Sequence, residues 1–247
     1  MKYILANWKM YLNVQESQML AQSLKSESIP SGLECVLFPT LLSFQQVQWM
    51  LQGTGFSMGV QNVNWVPKGA YTGAVSALIA KEGGAQYALV GHSERRYIFG
   101  EKDSDVTKKV QACEEAGLIP VVCIGETKED IENNKKTYRL QKQIESALVE
   151  HNSAHPLLFA YEPIWAISSQ QGTACLPGDA DDVIGWMKQE IQKYTDQSIP
   201  VLYGGSVNAD NCVEYMRMPA IDGVLVGFAS TEHESFSKIL QQASSLE

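Results

Sequence analysis

Eight short apolar runs recur along the chain: Tyr3 to Trp8, Leu33 to Phe38, Phe56 to Gln61, Tyr87 to Val90, Ile119 to Ile124, Leu157 to Tyr161, Pro200 to Tyr203 and Ile221 to Val226. Most are apolar at consecutive positions, so neither face of such a strand can be left in water. That is the pattern of a parallel sheet covered on both sides. Between the runs the apolar residues change to helical spacing. Val106, Val110 and Cys113 lead to a capping Gly117, and Ile184, Met187, Ile191 and Tyr194 form a second stripe. The stretch from Thr127 to Glu150 carries Ile131, Tyr138, Ile144 and Leu148 among many charges, which predicts an amphipathic helix with a solvated outer face. A final helix is predicted around Ser235 to Ala243. No Gly/Ser linker or low-complexity tract cuts the chain, so residues 1–247 read as one domain. Strand and helix alternating eight times predict an α/β fold, a single (β/α)8 barrel, although a doubly wound open sheet shares the alternation.

Composition limits what such a chain can do. With 247 residues and 45% hydrophobic content it can bury a large core. The net charge of -9, with no Lys/Arg cluster, argues against nucleic acid or an anionic membrane as partner. An anionic ligand would have to be held by local groups against that field. Cys35, Cys113, Cys123, Cys175 and Cys212 are odd in number and scattered, which predicts packed thiols in a reducing compartment and not a disulfide framework. The start of the chain meets Asn7 and Lys9 too early for a signal peptide, and no run is a credible membrane span, so a cytoplasmic protein is expected.

In a barrel, chemistry gathers where strands end, so polar residues just after the apolar runs become informative together. Asn7 and Lys9 alternate on an extended chain and can point to one side. Gly91 allows a tight turn before His92-Ser93-Glu94-Arg95-Arg96, and a helix starting there disfavours a positive imidazole, leaving His92 a neutral hydrogen-bond donor. His151, His155 and His233 lie in polar surroundings and are expected at the surface. Glu162 stands between a buried run and Pro163, which biases it to an extended backbone and holds the carboxylate as a positioned base; an ion pair is the plainer reading. Tyr203-Gly204-Gly205-Ser206 and Asp222-Gly223 to Gly227 close the series with glycines that let backbone N–H groups approach a phosphate.

The combination resembles the triosephosphate isomerase family. The resemblance runs over essentially the whole chain, through Asn7-Trp8-Lys9-Met10, Gly69-Ala70-Tyr71-Thr72-Gly73, Gly91 to Arg96, Ala160 to Ile167 and Tyr203 to Ser206. It implies a TIM barrel that interconverts dihydroxyacetone phosphate and D-glyceraldehyde 3-phosphate in glycolysis and gluconeogenesis, with no metal or organic cofactor. It also implies site roles: Glu162 as base, His92 as electrophile, and Lys9 and Asn7 steadying the enediolate and the substrate oxygens. Ser168, Ser206, Gly227 and Phe228 would hold the phosphate. Glu94, Arg95, Cys123 and Tyr203 would support these groups from behind, Cys123 packing near Glu162 and not acting as a nucleophile. Pro163, Ile164 and Trp165 would start a lid that continues through Ser168, Ser169, Gln170, Gln171 and Gly172. The resemblance further implies a homodimer in which the loop from Asn62 to Gly73, with Tyr71, Thr72 and Gly73 at its tip, enters the partner beside its active site.

Several residues depart from the family pattern. Ala74 stands where a glutamate usually pairs with the partner's counterpart of Arg95, Ala6 replaces a glycine, Tyr11 an asparagine, and Phe228 a second glycine. The lid tip departs most: where the family usually has Gly-Thr-Gly-Lys-Thr-Ala, this chain has Ser168 to Pro177, a segment about two residues longer up to the proline. The expectation is a lid that still closes, with altered rate or tightness. Two other functions remain open to the residues alone: a Schiff-base aldolase, which would want a buried lysine where strand six ends in Glu162, and a binding protein that kept the barrel without catalysis.

Overall fold

The computed structural model describes residues 1–166 and 175–244. Eight parallel strands close into a barrel in chain order: β1 Lys2–Asn7, β2 Leu33–Phe38, β3 Phe56–Val60, β4 Tyr87–Val90, β5 Ile119–Ile124, β6 Leu158–Tyr161, β7 Val201–Tyr203 and β8 Gly223–Val226. Closure comes from β1 pairing with both β2 and β8. The open-sheet alternative is thereby removed.

The consecutive apolar residues in each strand separate into two layers. Leu5, Val36, Phe38, Leu89, Val121, Leu158, Leu202 and Leu225 fill the barrel interior. Their neighbours Ile4, Leu37, Val90, Val122, Phe159 and Val224 face outward under the helices. Fully burying side chains of this kind contributes about 1.5–3 kcal/mol each, which is why neither face tolerates charge.

The covering helices are α1 Val14–Leu24, α2 Leu41–Met50, α3 Ala77–Glu82, α4 Ser93–Tyr97, α5 Asp103–Ala116, α6 Lys128–Glu132, α7 Lys136–Leu148, α8 Pro177–Ile191, α9 Cys212–Met216 and α10 His233–Ser244. Local sequence sets several ends. Asn13 and Glu16 form a reciprocal cap on α1, Pro177 opens α8, and Gly117 ends α5 in the left-handed region at φ 73°. The stretch from Thr127 to Glu150 is two helices and not the one its charge pattern predicts. Asn134 adopts φ 54° between α6 and α7, a conformation asparagine tolerates better than most residues, and Thr127 and Asp130 cap α6 separately.

Candidate active site

Strand alternation carries two residues inward. The parity that sends Leu5 into the barrel continues to Asn7, and that of Leu158 and Ala160 continues to Glu162. His92 has the wrong parity, because Leu89 already points inward. Gly91 resolves this: its φ of 68° breaks the alternation, and a Cβ there would lie 2.7 Å from the Arg96 guanidinium. His92 then caps α4 and turns into the site.

Asn7, His92 and Glu162 are all buried, at 4%, 6% and 2% exposure. His92 Nε2 lies 3.2 Å from Glu162 Oε1, and the other carboxylate oxygen accepts the Ser93 N–H at 3.0 Å. His92 Nδ1 accepts the Glu94 N–H at 3.3 Å. An acceptor at Nδ1 places the proton of a neutral ring on Nε2, facing the carboxylate. Lys9 Nζ pairs with Glu94 Oε1 at 2.7 Å. Lys9 itself is held at φ 49°, its N–H bonded to Asn7 Oδ1 and its carbonyl to the Gln61 amide at 2.8 Å. Cys123 is fully buried beneath the site. Burial pushes its thiol far above the ordinary range, and the Glu162 carboxylate adds to the shift, which suits packing and not nucleophilic attack.

A cavity of about 390 Å³ extends from these groups to Ser206, Gly227 and Phe228. The two glycines at this end are tightly set. A Cβ on Gly205 would stand 2.2 Å from the Tyr203 hydroxyl oxygen, and one on Gly204 would stand 3.0 Å from Glu162 Cγ. Asn211 donates to the Ser206 carbonyl at 3.0 Å. Phe228, which opens a one-turn 3-10 helix after Gly227, meets Tyr11 edge to face at 5.3 Å, so the loops after β8 and β1 touch across the rim.

Beyond Glu162, residues Ile164–Ala166 form another single 3-10 turn. Glu126 anchors it: its carboxylate accepts the Trp165 indole N–H at 2.9 Å and the Tyr161 hydroxyl at 3.0 Å, and its carbonyl accepts the Ile164 N–H at 3.1 Å. Ser168, Ser169, Gln170, Gln171 and Gly172 lie outside the described residues. On the far side Tyr215 stacks on Tyr203 at 4.1 Å and donates its hydroxyl to the Cys175 carbonyl.

A wider cavity of about 1080 Å³ adjoins the first and shares Asn7, Lys9, Tyr11 and His92 with it. Arg95 lines this cavity away from Glu162, bonded to Glu101 at 2.8 Å and lying over the Phe99 ring at 5.1 Å. Lys109 joins Glu101 to Asn62 from below. The loop tip with Tyr71, Thr72 and Gly73 is exposed, as are Met10, Ile98 and Phe99 around the cavity.

Strand-end reasoning would also have found Gln61 and Glu126, which follow β3 and β5 by one and two positions. It could not have found Glu101, Lys109 or Gln143, which look like ordinary surface residues in the sequence. His151 is not the surface residue its polar neighbours predict; its side chain is 2% exposed because Glu114, from the distant end of α5, covers and pairs with it. His155 and His233 sit in exposed contacts. Among the described residues no cluster of His, Cys, Asp or Glu has the arrangement to hold a metal ion, and no helix is long and apolar enough to cross a membrane.

A family model described as triosephosphate isomerase matches residues 2–243. A triosephosphate isomerase of Dehalococcoides mccartyi is 40% identical over 245 residues, covering 97% of this chain and 95% of that protein. One of Aquifex aeolicus is 40% identical over 246 residues, covering 97% and 98%, and one of Synechocystis is 39% identical over 239, covering 96% of each. A closed eight-stranded barrel with a glutamate, histidine, lysine and asparagine gathered at its strand ends agrees with those similarities, and the chain belongs to the triosephosphate isomerase family.

Proposed function

We propose that the chain interconverts dihydroxyacetone phosphate and D-glyceraldehyde 3-phosphate through an enediolate, with Glu162 as the base. Glu162 takes a proton from the carbon beside the carbonyl, and the electrons of that C–H bond form the carbon–carbon double bond as charge moves to the carbonyl oxygen. The Nε2–H of His92 meets that charge, helped by Lys9 and Asn7. His92 also carries the hydroxyl proton from one oxygen of the enediolate to the other, so that return of the carbon proton to the neighbouring carbon leaves the former hydroxyl oxygen as the new carbonyl and gives the other triose phosphate. The observation that carries this reading is the His92–Glu162 contact at 3.2 Å with Nδ1 engaged by the Glu94 N–H, which leaves Nε2–H as the donor beside a buried carboxylate. Ser206, Gly227 and Phe228 take the phosphate at the far end of the cavity, with Ser168 as a further contact.

A homodimer completes the wider cavity: the exposed tip at Tyr71, Thr72 and Gly73 enters the space bordered by Met10, Ile98 and Phe99 of a second copy. Five free thiols and the absence of a crossing helix among the described residues suit a cytoplasmic protein working as one domain. The deciding test is a coupled isomerase assay with E162Q as control, for which loss of the base predicts kcat about 10² to 10⁴-fold lower. Wild-type protein no faster than E162Q would remove the assignment.

A further inference from the structure

We infer that Gln143 and Arg96, neither of which touches the cavity, are positioning residues that fix the backbone at the end of β5 on which the base Glu162 is seated. The inference rests on the isomerase reading and names how its base is held.

The Glu162 carboxylate meets the His92 ring and the Ser93 N–H from the loop after β4 and the Cys123 thiol from β5, and its backbone is fixed from β5 as well. That backbone lies directly against Gly125. A Cβ on Gly125 would stand 1.8 Å from the Glu162 carbonyl oxygen and 2.6 Å from its carbonyl carbon, so no side chain fits between them. The Glu162 N–H is tied to the Ile124 carbonyl at 2.7 Å. Wherever residues 123–125 go, Glu162 follows.

Two polar side chains from covering helices hold those residues. Gln143 on α7, 2% exposed, accepts the buried Gly125 N–H with its side-chain oxygen at 2.8 Å. Arg96 on α4, with a side chain 7% exposed, donates to the Cys123 carbonyl at 3.3 Å and to the Gly91 carbonyl at 2.6 Å, and is itself fixed by Asp103 at 2.6 Å. One guanidinium thus joins the strand end before His92 to the strand end beside Glu162. Only a planar group with several fixed donors spans both carbonyls and the carboxylate; a lysine ammonium does not. The spacing between acid partner and base is set by these two residues, and displacements of about 1 Å in such pairs cost on the order of 10²-fold in rate.

The test uses the full-length protein in the coupled isomerase assay, with inorganic phosphate as a competing probe of the anion end and thermal unfolding as a check on folding. Q143L should lower kcat about 10 to 100-fold while KM and phosphate inhibition stay within about twofold, since the phosphate end is untouched. Q143E keeps an acceptor at the same reach and should restore kcat to within about threefold of wild type, which a mere packing defect would not allow. R96K should show the same split between kcat and KM, and decides the matter if Q143L does not fold. Folded variants with unchanged kcat, or with kcat, KM and phosphate inhibition moving together, would overturn the inference alone. An inactive wild type would overturn the isomerase reading and this inference with it.

Discussion

Trp165 donates its indole N–H to the buried carboxylate of Glu126 across 2.9 Å, and so fastens the turn that follows Glu162 to the loop after the neighbouring strand. Tyr161 donates to the same oxygen at 3.0 Å, while Lys136 stands 3.6 Å away. W165F keeps the ring but removes the donor. The expected loss is about 1–2 kcal/mol, since a hydrogen bond to a charged group is removed while other partners remain. For a chain of this size that corresponds to a Tm lower by roughly 2–8 °C, read by calorimetry. Unchanged Tm would mean that the indole contact contributes nothing to the folded state.

His151 gives the stability a pH dependence. Burial opposes its positive charge, yet the hydrogen bond and charge of Glu114, with Gln197 alongside, outweigh burial and raise its pKa above 6.5. A raised folded-state pKa means the protonated ring is favoured by folding, so its contribution is complete below pH 6.5 and is lost as pH rises through the folded value. Tm measured between about pH 6 and 9 should therefore fall through this window in the wild type and fall less in E114Q. Equal slopes in the two proteins would exclude the pair as the source.

Cys123 should be inert in the native protein. Its thiol is pushed well above the usual range by burial and then by Glu162, and nothing exposes it to reagent. Iodoacetamide at neutral pH should label it only at the rate of unfolding, whereas all five thiols should react in denaturant. Fast native labelling followed by loss of activity would show that this part of the barrel opens readily.

The apolar rim around Arg95 predicts association. Sedimentation should give about twice the chain mass of 27.3 kDa, and F99K should weaken the dimer by at least ~10-fold by placing a charge on an exposed aromatic of the proposed interface. A monomer at all concentrations would leave Met10, Ile98 and Phe99 without a partner.

The path from residues to function was legible wherever it depended on neighbours in the chain. Unbroken apolar runs demand two covered faces, and strand alternation alone brings Asn7 and Glu162 to the same side. Chain periodicity could not show that Gly91 reverses the parity of His92, since only the left-handed φ in the folded backbone makes the ring point inward. It also read one helix from Thr127 to Glu150, because charge spacing does not register a single left-handed asparagine. The alternation of buried strands with covering helices, and which polar residues stand at the strand ends, were therefore determined by the sequence itself, as consequences of periodicity and backbone stiffness. Closure into a barrel was left open beside an open sheet until β1 paired with β8. The tertiary structure alone decided which distant groups meet: Glu114 on His151, Lys109 beneath Glu101, Gln143 on Gly125. Those contacts join residues on separate helices and strands, and their geometry exists only once the barrel has closed and the helices have packed against it.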